Sequence, residues 1–365
     1  MAGESPTIEL RDENVTGKRR WRADFGDESA FQVEAEGGDL RFTGETLEID
    51  CTENGDSVTV WRRETFPGDV LVEYTATCHE DSGDESGCAP ETVFNPGRGR
   101  QTMSDPRYFV VTDIEGVAGI DSFDRTRTSD EQQKAPAMEQ LGREVNACVS
   151  GIRSVHPDAA VDVWDGHGSG GLRESDVADA RYLDDGKPYF DIEEYTALLF
   201  VGQHAMAGTV DAPLAHTYSS TDIAYYRLND TFVGEFGARA FVAGRQGVPT
   251  VYLAGDDKAA REAEMFVPDI TTTAVKVGQG REAARHLPQD EACEAVREDA
   301  ARAVSGAEGV DPFDSFDPPY ELEVRFFDPI SDEACRRRFD EDVERTRVDS
   351  RTVRLTSDDV TALPV

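Results

Sequence analysis

From residue 105 onward, short apolar runs alternate with stretches of helical spacing, and this alternation constrains the fold more than any other feature of the chain. Tyr108-Phe109-Val110-Val111-Thr112 reads as a buried strand. So do Val161-Asp162-Val163-Trp164, Ala197-Leu198-Leu199-Phe200-Val201 and Thr250-Val251-Tyr252-Leu253-Ala254. Residues 138–152, 235–245 and 258–265 carry helical spacing. Strands that alternate with helices predict an α/β domain over 105–365, with a mostly parallel sheet and flanking helices in three layers.

Before residue 105 the pattern has period two. Phe31-Gln32-Val33-Glu34-Ala35, Leu47-Glu48-Ile49-Asp50-Cys51, Ser57-Val58-Thr59-Val60-Trp61 and Val70-Leu71-Val72-Glu73-Tyr74 read as strands. Turn residues at Gly37-Gly38, Asn54-Gly55 and Pro67-Gly68 separate them. This predicts a small antiparallel β module over 1–104, with the Gly- and Pro-containing stretch 83–105 as its linker. A chain of 365 residues is long enough for two such domains. No internal repeat is visible.

The formal net charge is −37. It excludes nucleic acid and anionic membrane as partners, because both would be repelled. Lysine occurs only at Lys18, Lys134, Lys187, Lys258 and Lys276, so nearly all cations are arginines. Acid excess with little lysine reads as a salt-adapted, halophilic surface. No apolar stretch follows Met1, and no run is long enough to span a bilayer. A cytoplasmic location is the expectation. Cys51, Cys78, Cys88, Cys148, Cys293 and Cys335 form no CxxC pair, so zinc–thiolate chemistry is not indicated.

Chemistry gathers at the strand ends. The first predicted strand of the second domain runs into Asp113-Ile114-Glu115, with two carboxylates that share one side of an extended segment. The second runs into Asp165-Gly166-His167, and the third into Gly202-Gln203-His204. His216 follows, and Glu235 opens a predicted helix. In open α/β sheets, ligands collect at the carboxyl ends of strands. Carboxylates with imidazoles suit Zn²⁺, with Mn²⁺ or Co²⁺ as alternatives. The set exceeds one tetrahedral zinc and fits two metals that share a carboxylate, with a water held between them.

Each piece has a plainer reading. Asp113 and Glu115 could form a solvated edge, Asp165-Gly166-His167 a tight turn, and Glu235 a helix start favoured by the macrodipole. Asp165 reads equally as an imidazole orienter or a turn residue. Asp256 and Asp257 read as helix caps.

From about Tyr108 onward the chain resembles the zinc-dependent D-aminopeptidase family associated with bacterial dipeptide-transport operons. The residues that carry the resemblance are Asp113-Ile114-Glu115-Gly116-Val117-Ala118-Gly119, Asp165-Gly166-His167 and Gly202-Gln203-His204-Ala205. It continues through Asn229-Asp230, Val233-Gly234-Glu235-Phe236-Gly237, Leu253-Ala254-Gly255-Asp256-Asp257 and Thr272-Thr273-Ala274-Val275-Lys276. The resemblance implies two Zn²⁺ per subunit, bridged by Asp113. It implies Glu115 and His167 on one zinc, and His204 and Glu235 on the other. It implies that His216 is catalytic without coordinating metal, and that the chain assembles as a homo-oligomeric decamer. The N-terminal module has no counterpart in the family and is only loosely lectin-like, on Thr65-Phe66-Pro67-Gly68-Asp69.

The expected activity is release of N-terminal amino acids, D or L, from short peptides or amides, by a hydroxide held at a dinuclear metal site. Two alternatives stay open. One is a metal amidohydrolase acting on non-peptide N-acyl compounds. The other is a binding protein with a relict hydrolase domain.

Overall fold

The computed structural model describes the backbone of strands between residues 11 and 95, and residues 106–365 apart from 185 and 340–342. The chain divides into two compact units, Met1–Ser104 and Asp105–Val365.

The first unit holds β1 (Arg11–Val15), β2 (Lys18–Asp24), β3 (Phe31–Glu36), β4 (Asp39–Thr43), β5 (Thr46–Cys51), β6 (Ser57–Arg62), β7 (Glu73–Thr77) and β8 (Val93–Asn95). They form two antiparallel sheets, in the orders β1-β2-β5-β4 and β3-β6-β7-β8. The strand expected over 70–74 is described only from Glu73, with 70–72 outside the described residues. One expectation is corrected. The expected linker contains β8, whose Phe94 pairs with Tyr74 of β7. A three-residue strand is too short to show a period, so the Gly- and Pro-containing composition around it dominated the reading. Cys78 and Cys88 lie outside the described residues.

The second unit is an α/β domain. Its main sheet contains β9 (Arg107–Thr112), β10 (Ala160–Asp165), β11 (Arg181–Leu183), β12 (Ala197–Gln203), β15 (Thr250–Asp256), β16 (Thr271–Gly280) and β17 (Ala283–His286). Their order is β11-β10-β9-β12-β15-β16-β17, parallel except for the final hairpin. The strands read as continuous apolar runs because both faces are covered. Phe109, Val110, Leu199, Phe200 and Leu253 are fully buried.

Helix α1 (Glu131–Val155) joins β9 to β10. Helices α2 (Glu235–Arg245) and α3 (Asp257–Phe266) lead into β15 and β16, and α4 (Gln289–Ser305) follows the hairpin. Helix α1 packs with α4, and α2 with α3. The chain moves outward from β9 in one direction through α1, and from β12 in the other through α2 and α3. With right-handed crossovers, the two helix groups therefore cover opposite faces. Helix α1 begins upstream of the expected 138–152. Asp130 caps it by accepting from Gln132 N–H, and its first turn is polar and, apart from Lys134, exposed, so apolar spacing misses it.

A second sheet was not anticipated. It orders β13 (Ile223–Leu228), β14 (Thr231–Val233), β18 (Tyr320–Phe326), β19 (Glu344–Arg347) and β20 (Thr352–Ser357) as β14-β13-β18-β20-β19, all antiparallel. Asn229 and Asp230 both have positive φ, 43° and 66°, and make the two-residue turn between β13 and β14. The central pairing of β13 with β18 joins segments far apart in sequence, which no local pattern reports. The short helix α5 (Asp332–Arg338) lies between β18 and β19.

Candidate metal centre

The order of the parallel sheet reverses between β9 and β12, and the candidate site lies at their carboxyl ends. In-register pairing sets Thr112 opposite both Asp165 and Val201. The residues that follow these three strands therefore emerge at one level. The approach is tight. Asp113 N–H donates to Val201 O at 2.9 Å, and Gly116 N–H to Gly202 O at 2.7 Å. Gly202 has φ +79°, and a Cβ there would lie 2.0 Å from Asp113 O, so glycine is required.

All six sequence-predicted residues come together in two clusters that share one carboxylate. In the first, His167 Nδ1 lies 3.2 Å from Asp113 Oδ1 and 3.1 Å from Glu115 Oε2. In the second, His204 Nε2 lies 3.3 Å from Asp113 Oδ2 and 3.5 Å from Glu235 Oε1, while His216 Nε2 is 3.8 Å from the same Glu235 oxygen. Asp113 thus turns one oxygen to each cluster. One ligand atom from each of His204, His216 and Glu235 lies within 4.8 Å of the others.

Backbone carbonyls fix the tautomers. His204 Nδ1–H donates to Ala205 O at 2.9 Å, and His216 Nδ1–H to Leu214 O at 2.8 Å. His167 Nε2–H donates to Thr126 O at 3.2 Å. The opposite nitrogen of each ring therefore faces the carboxylates, where it can offer a lone pair to a metal once any proton there is displaced. Both Glu115 carboxylate oxygens and His204 Nε2 are buried without a hydrogen-bond partner. Orphaned acceptors are costly unless something binds them. Acceptors that converge from carboxylates and imidazoles fit divalent metal ions, zinc among them.

The electrostatics of the bare protein agree. Burial opposes ionisation of Asp113, yet the imidazoles of His204 and His167 hold its carboxyl well below the usual range. Burial likewise disfavours a charged His167, but Glu115 and Asp113 raise it to about 11. Protons on these rings stand in for the cations the carboxylates attract. His216 moves the other way, lowered by burial and by His204, and so is held neutral.

Supporting residues were mostly invisible in the sequence. Arg239, one turn after Glu235 on α2, reaches Glu235 Oε2 at 3.2 Å. The i,i+4 spacing was the available signal. Tyr218 N–H donates to Glu235 Oε1 at 2.8 Å. Buried Glu262 accepts from Met206 N–H at 2.7 Å, in the loop after His204. Lys276 Nζ donates to the carbonyls of Glu115 and Ile120. Asp165 accepts from the backbone N–H groups of His167, Gly171 and Leu172, so it shapes the loop and orients no imidazole. Asp256 caps α3 through Lys258 and Ala259 N–H, and also accepts from Ala205 N–H at 3.2 Å. Asp257, in the first turn of α3, accepts instead from Lys258 Nζ and Gly278 N–H.

A cavity of about 800 Å³ opens over the clusters. Gly168, Ser169, Gly186, Lys187 and Tyr189, from the segment between β10 and β12, line its wall. Among the described residues, no helix is long and apolar enough to cross a membrane.

Comparison with known proteins gives this geometry a family. A family model described as D-aminopeptidase matches residues 107–364. A D-aminopeptidase of Bacillus subtilis (strain 168) is 36% identical over 146 residues, which is 39% of this chain and 52% of that protein. The chain thus spans about half the length of this curated relative. A solved structure, described as the Zn-dependent D-aminopeptidase DppA from Bacillus subtilis, a self-compartmentalizing protease, superposes with a TM-score of 0.62 at 26% identity. That superposition covers 70% of this chain and 92% of the other. With the family model matching well over half of its length, the chain belongs to the D-aminopeptidase family.

Proposed function

We propose that this chain is a metal-dependent aminopeptidase that releases N-terminal residues from short peptides at a dinuclear zinc site. One observation carries the reading: Asp113 turns one oxygen to each of two clusters, in which both Glu115 oxygens and His204 Nε2 are buried and unpaired. Asp113 would be the ligand shared by two ions. Glu115 and His167 would hold one, and His204 and Glu235 the other. Two divalent ions would supply the Lewis acidity that polarises a carbonyl and acidifies water; manganese or cobalt would serve the same donors.

His216 acts as the base and proton shuttle. Its ring stacks on His204 with centroids 4.0 Å apart and planes inclined by 13°. Stacked, nearly parallel rings direct their two Nε2 lone pairs along separate planes, so they do not converge on one point. Stacking therefore disfavours shared ligation and leaves the His216 Nε2 lone pair for a proton. A neutral His216, with Nδ1–H anchored on Leu214 O, can take a proton at Nε2 and return it to a leaving amine. Arg239 and Tyr218 N–H hold Glu235 in place.

The family match favours a peptidase over an amidohydrolase or a relict binding domain. Homo-oligomeric assembly, with the decamer as its expected form, extends the self-compartmentalizing description of the Bacillus subtilis structure to this chain. The same reading places the protein in the cytoplasm, with Cys148, Cys293 and Cys335 as free thiols. The strands of the first unit make a β module distinct from the catalytic domain.

The test is hydrolysis of D- and L-alanine amides and dipeptides in high salt, with chelator and with Zn²⁺ or Mn²⁺ restored. Chelator-sensitive release of the N-terminal residue supports the reading and settles handedness. Absence of release from protein that binds about two metals per chain overturns it in favour of an amidohydrolase. Sedimentation analysis in the same buffer reports the assembly.

A further inference from the structure

Acidic residues outnumber basic ones 74 to 37 in this chain. The cavity over the clusters reverses that balance. Among the described residues its only acids are the candidate ligands Asp113, Glu115 and Glu235, and every other charged residue on its wall is a cation: Arg127, Lys187, Arg239 and Arg338. A wall drawn at random from this sequence would carry mostly carboxylates.

These cations are not simply counter-ions of the metal ligands. Only Arg239 contacts one, at Glu235. Arg127 donates to Ser220 Oγ at 3.1 Å and lies over the Phe123 ring at 3.9 Å. Lys187 donates to Val365 O at 3.0 Å and lies over Phe190. Arg338 pairs with Asp222, outside the cavity.

Two donors on the wall are buried with nothing to bind. Arg239 is 3% exposed. Its Nη2 reaches Glu235 and Gly166 O, but Nε and Nη1 have no hydrogen-bond partner. The Tyr218 hydroxyl is likewise buried and unpartnered. Tyr218 also stands at φ +59°, a left-handed conformation uncommon for a bulky residue. The rings of Trp164, Tyr189 and Tyr218 surround the guanidinium at 5.4, 5.8 and 5.7 Å, which keeps water from it. A buried donor left unpaired is costly, because its hydrogen bonds to water are lost and not replaced. Unpaired donors within a cationic wall call for an anionic oxygen acceptor. The cavity, about 800 Å³, lies within the roughly 300–1,000 Å³ range of small-ligand sites.

We propose that this wall binds the free α-carboxylate of the substrate, with Tyr218 and Arg239 donating to it and Arg127 attracting it at the mouth, so that the enzyme acts on short peptides that end in a carboxylate. The inference rests on the aminopeptidase reading and adds a substrate class to it. The peptide is then held at both ends: its amino end at the metal clusters, its carboxylate on the cations. A cavity of this size leaves room for few residues between them.

The test compares kcat/KM for an alanyl-alanine dipeptide, its C-terminal amide and alaninamide, in whichever handedness is turned over, at one fixed salt concentration. The wild-type protein should favour the free acid over the amide by roughly 10–100-fold, mainly through KM, as charge-assisted hydrogen bonds require. Tyr218→Phe and Arg127→Gln should each shrink that ratio about fivefold or more. Arg302→Gln, which removes a cation from outside the cavity, should leave it intact. A wild-type ratio near one, with the amides still cleaved, overturns the carboxylate seat and leaves the aminopeptidase standing. A ratio unchanged in both cavity variants overturns the residue assignment, and an equal fall in turnover of acid and amide makes their role structural. No release from any of the three substrates overturns the aminopeptidase reading itself.

Discussion

The two halves of the centre are built differently. Asp113, Glu115 and His167 follow the ends of neighbouring strands β9 and β10, and their positions follow chiefly from strand register, with Lys276 on the Glu115 carbonyl and Asp165 on the His167 N–H. The His167 imidazole keeps about 10% of its surface exposed and sits beside the cavity loop at Ser169. His204, His216 and Glu235 come from a strand end, a loop and a helix start. This half rests on buried ionisable groups: Arg239 on Glu235, and Glu262 on the Met206 backbone. The first half is a product of the sheet, placed next to solvent and substrate. The second is a product of packing, and it needs charged scaffolding because loops lack a ladder to hold them. A site of two clusters can thus pair a half set by secondary structure with a half set by tertiary contacts, provided one residue belongs to both.

That residue is Asp113, and removing it should have the largest effect. Asp113→Asn should lower bound metal, measured by elemental analysis, from about two per chain to well under one, and reduce turnover by at least roughly 10³-fold. Full retention of one ion would break the bridging assignment. Glu115→Gln and Glu235→Gln should each cost about one ion, which tells the halves apart.

Next in size is His216→Ala. It should lower kcat on the order of 10²–10⁴-fold while metal content stays at the wild-type level. Loss of an ion in that variant would move His216 into the ligand set of the second half.

Glu262 sharpens the contrast through pH. Burial raises its carboxyl to about 7, against which the Met206 and Gly234 amides act only partly. A carboxyl raised in the fold favours the folded state while it is protonated, below its unfolded value. That support disappears as pH rises from about 4.5 through about 7. Glu262→Gln should therefore melt above the wild type at pH about 8, by on the order of 2 kcal/mol, with the gap closing near pH 5. An equal melting temperature at both pH values would show that the second half does not rest on a strained charge.

The smallest effect should come from Ser169→Ala in the first half. It removes the hydroxyl 3.0 Å from His167 Nε2 but leaves Thr126 O to hold the ring. Zinc affinity measured by chelator competition should fall roughly tenfold or less.

The sequence alone placed the parallel sheet, because buried strands must be apolar on both faces and are separated by helices of a different period. Helix α2 matched its expected 235–245, since an apolar face and the Gly234-Glu235 start mark it locally. The sequence also named all six residues now found in the two clusters, since chemistry at strand ends leaves rare residue types in recognisable places. It could not show which of them meet. The antiparallel sheet that carries Tyr226 to the cavity depends on β13 pairing with β18, a contact with no local period. The one oxygen that Asp113 turns to each cluster, the stacking of His216 on His204, and the unpaired edge of Arg239 all depend on side-chain angles set by packing. The cationic wall is the clearest case. A composition two to one in acids predicts the opposite, and only folding selects which few arginines and lysines face inward. Composition sets the average surface of this protein, and tertiary structure decides the local field at which a substrate arrives.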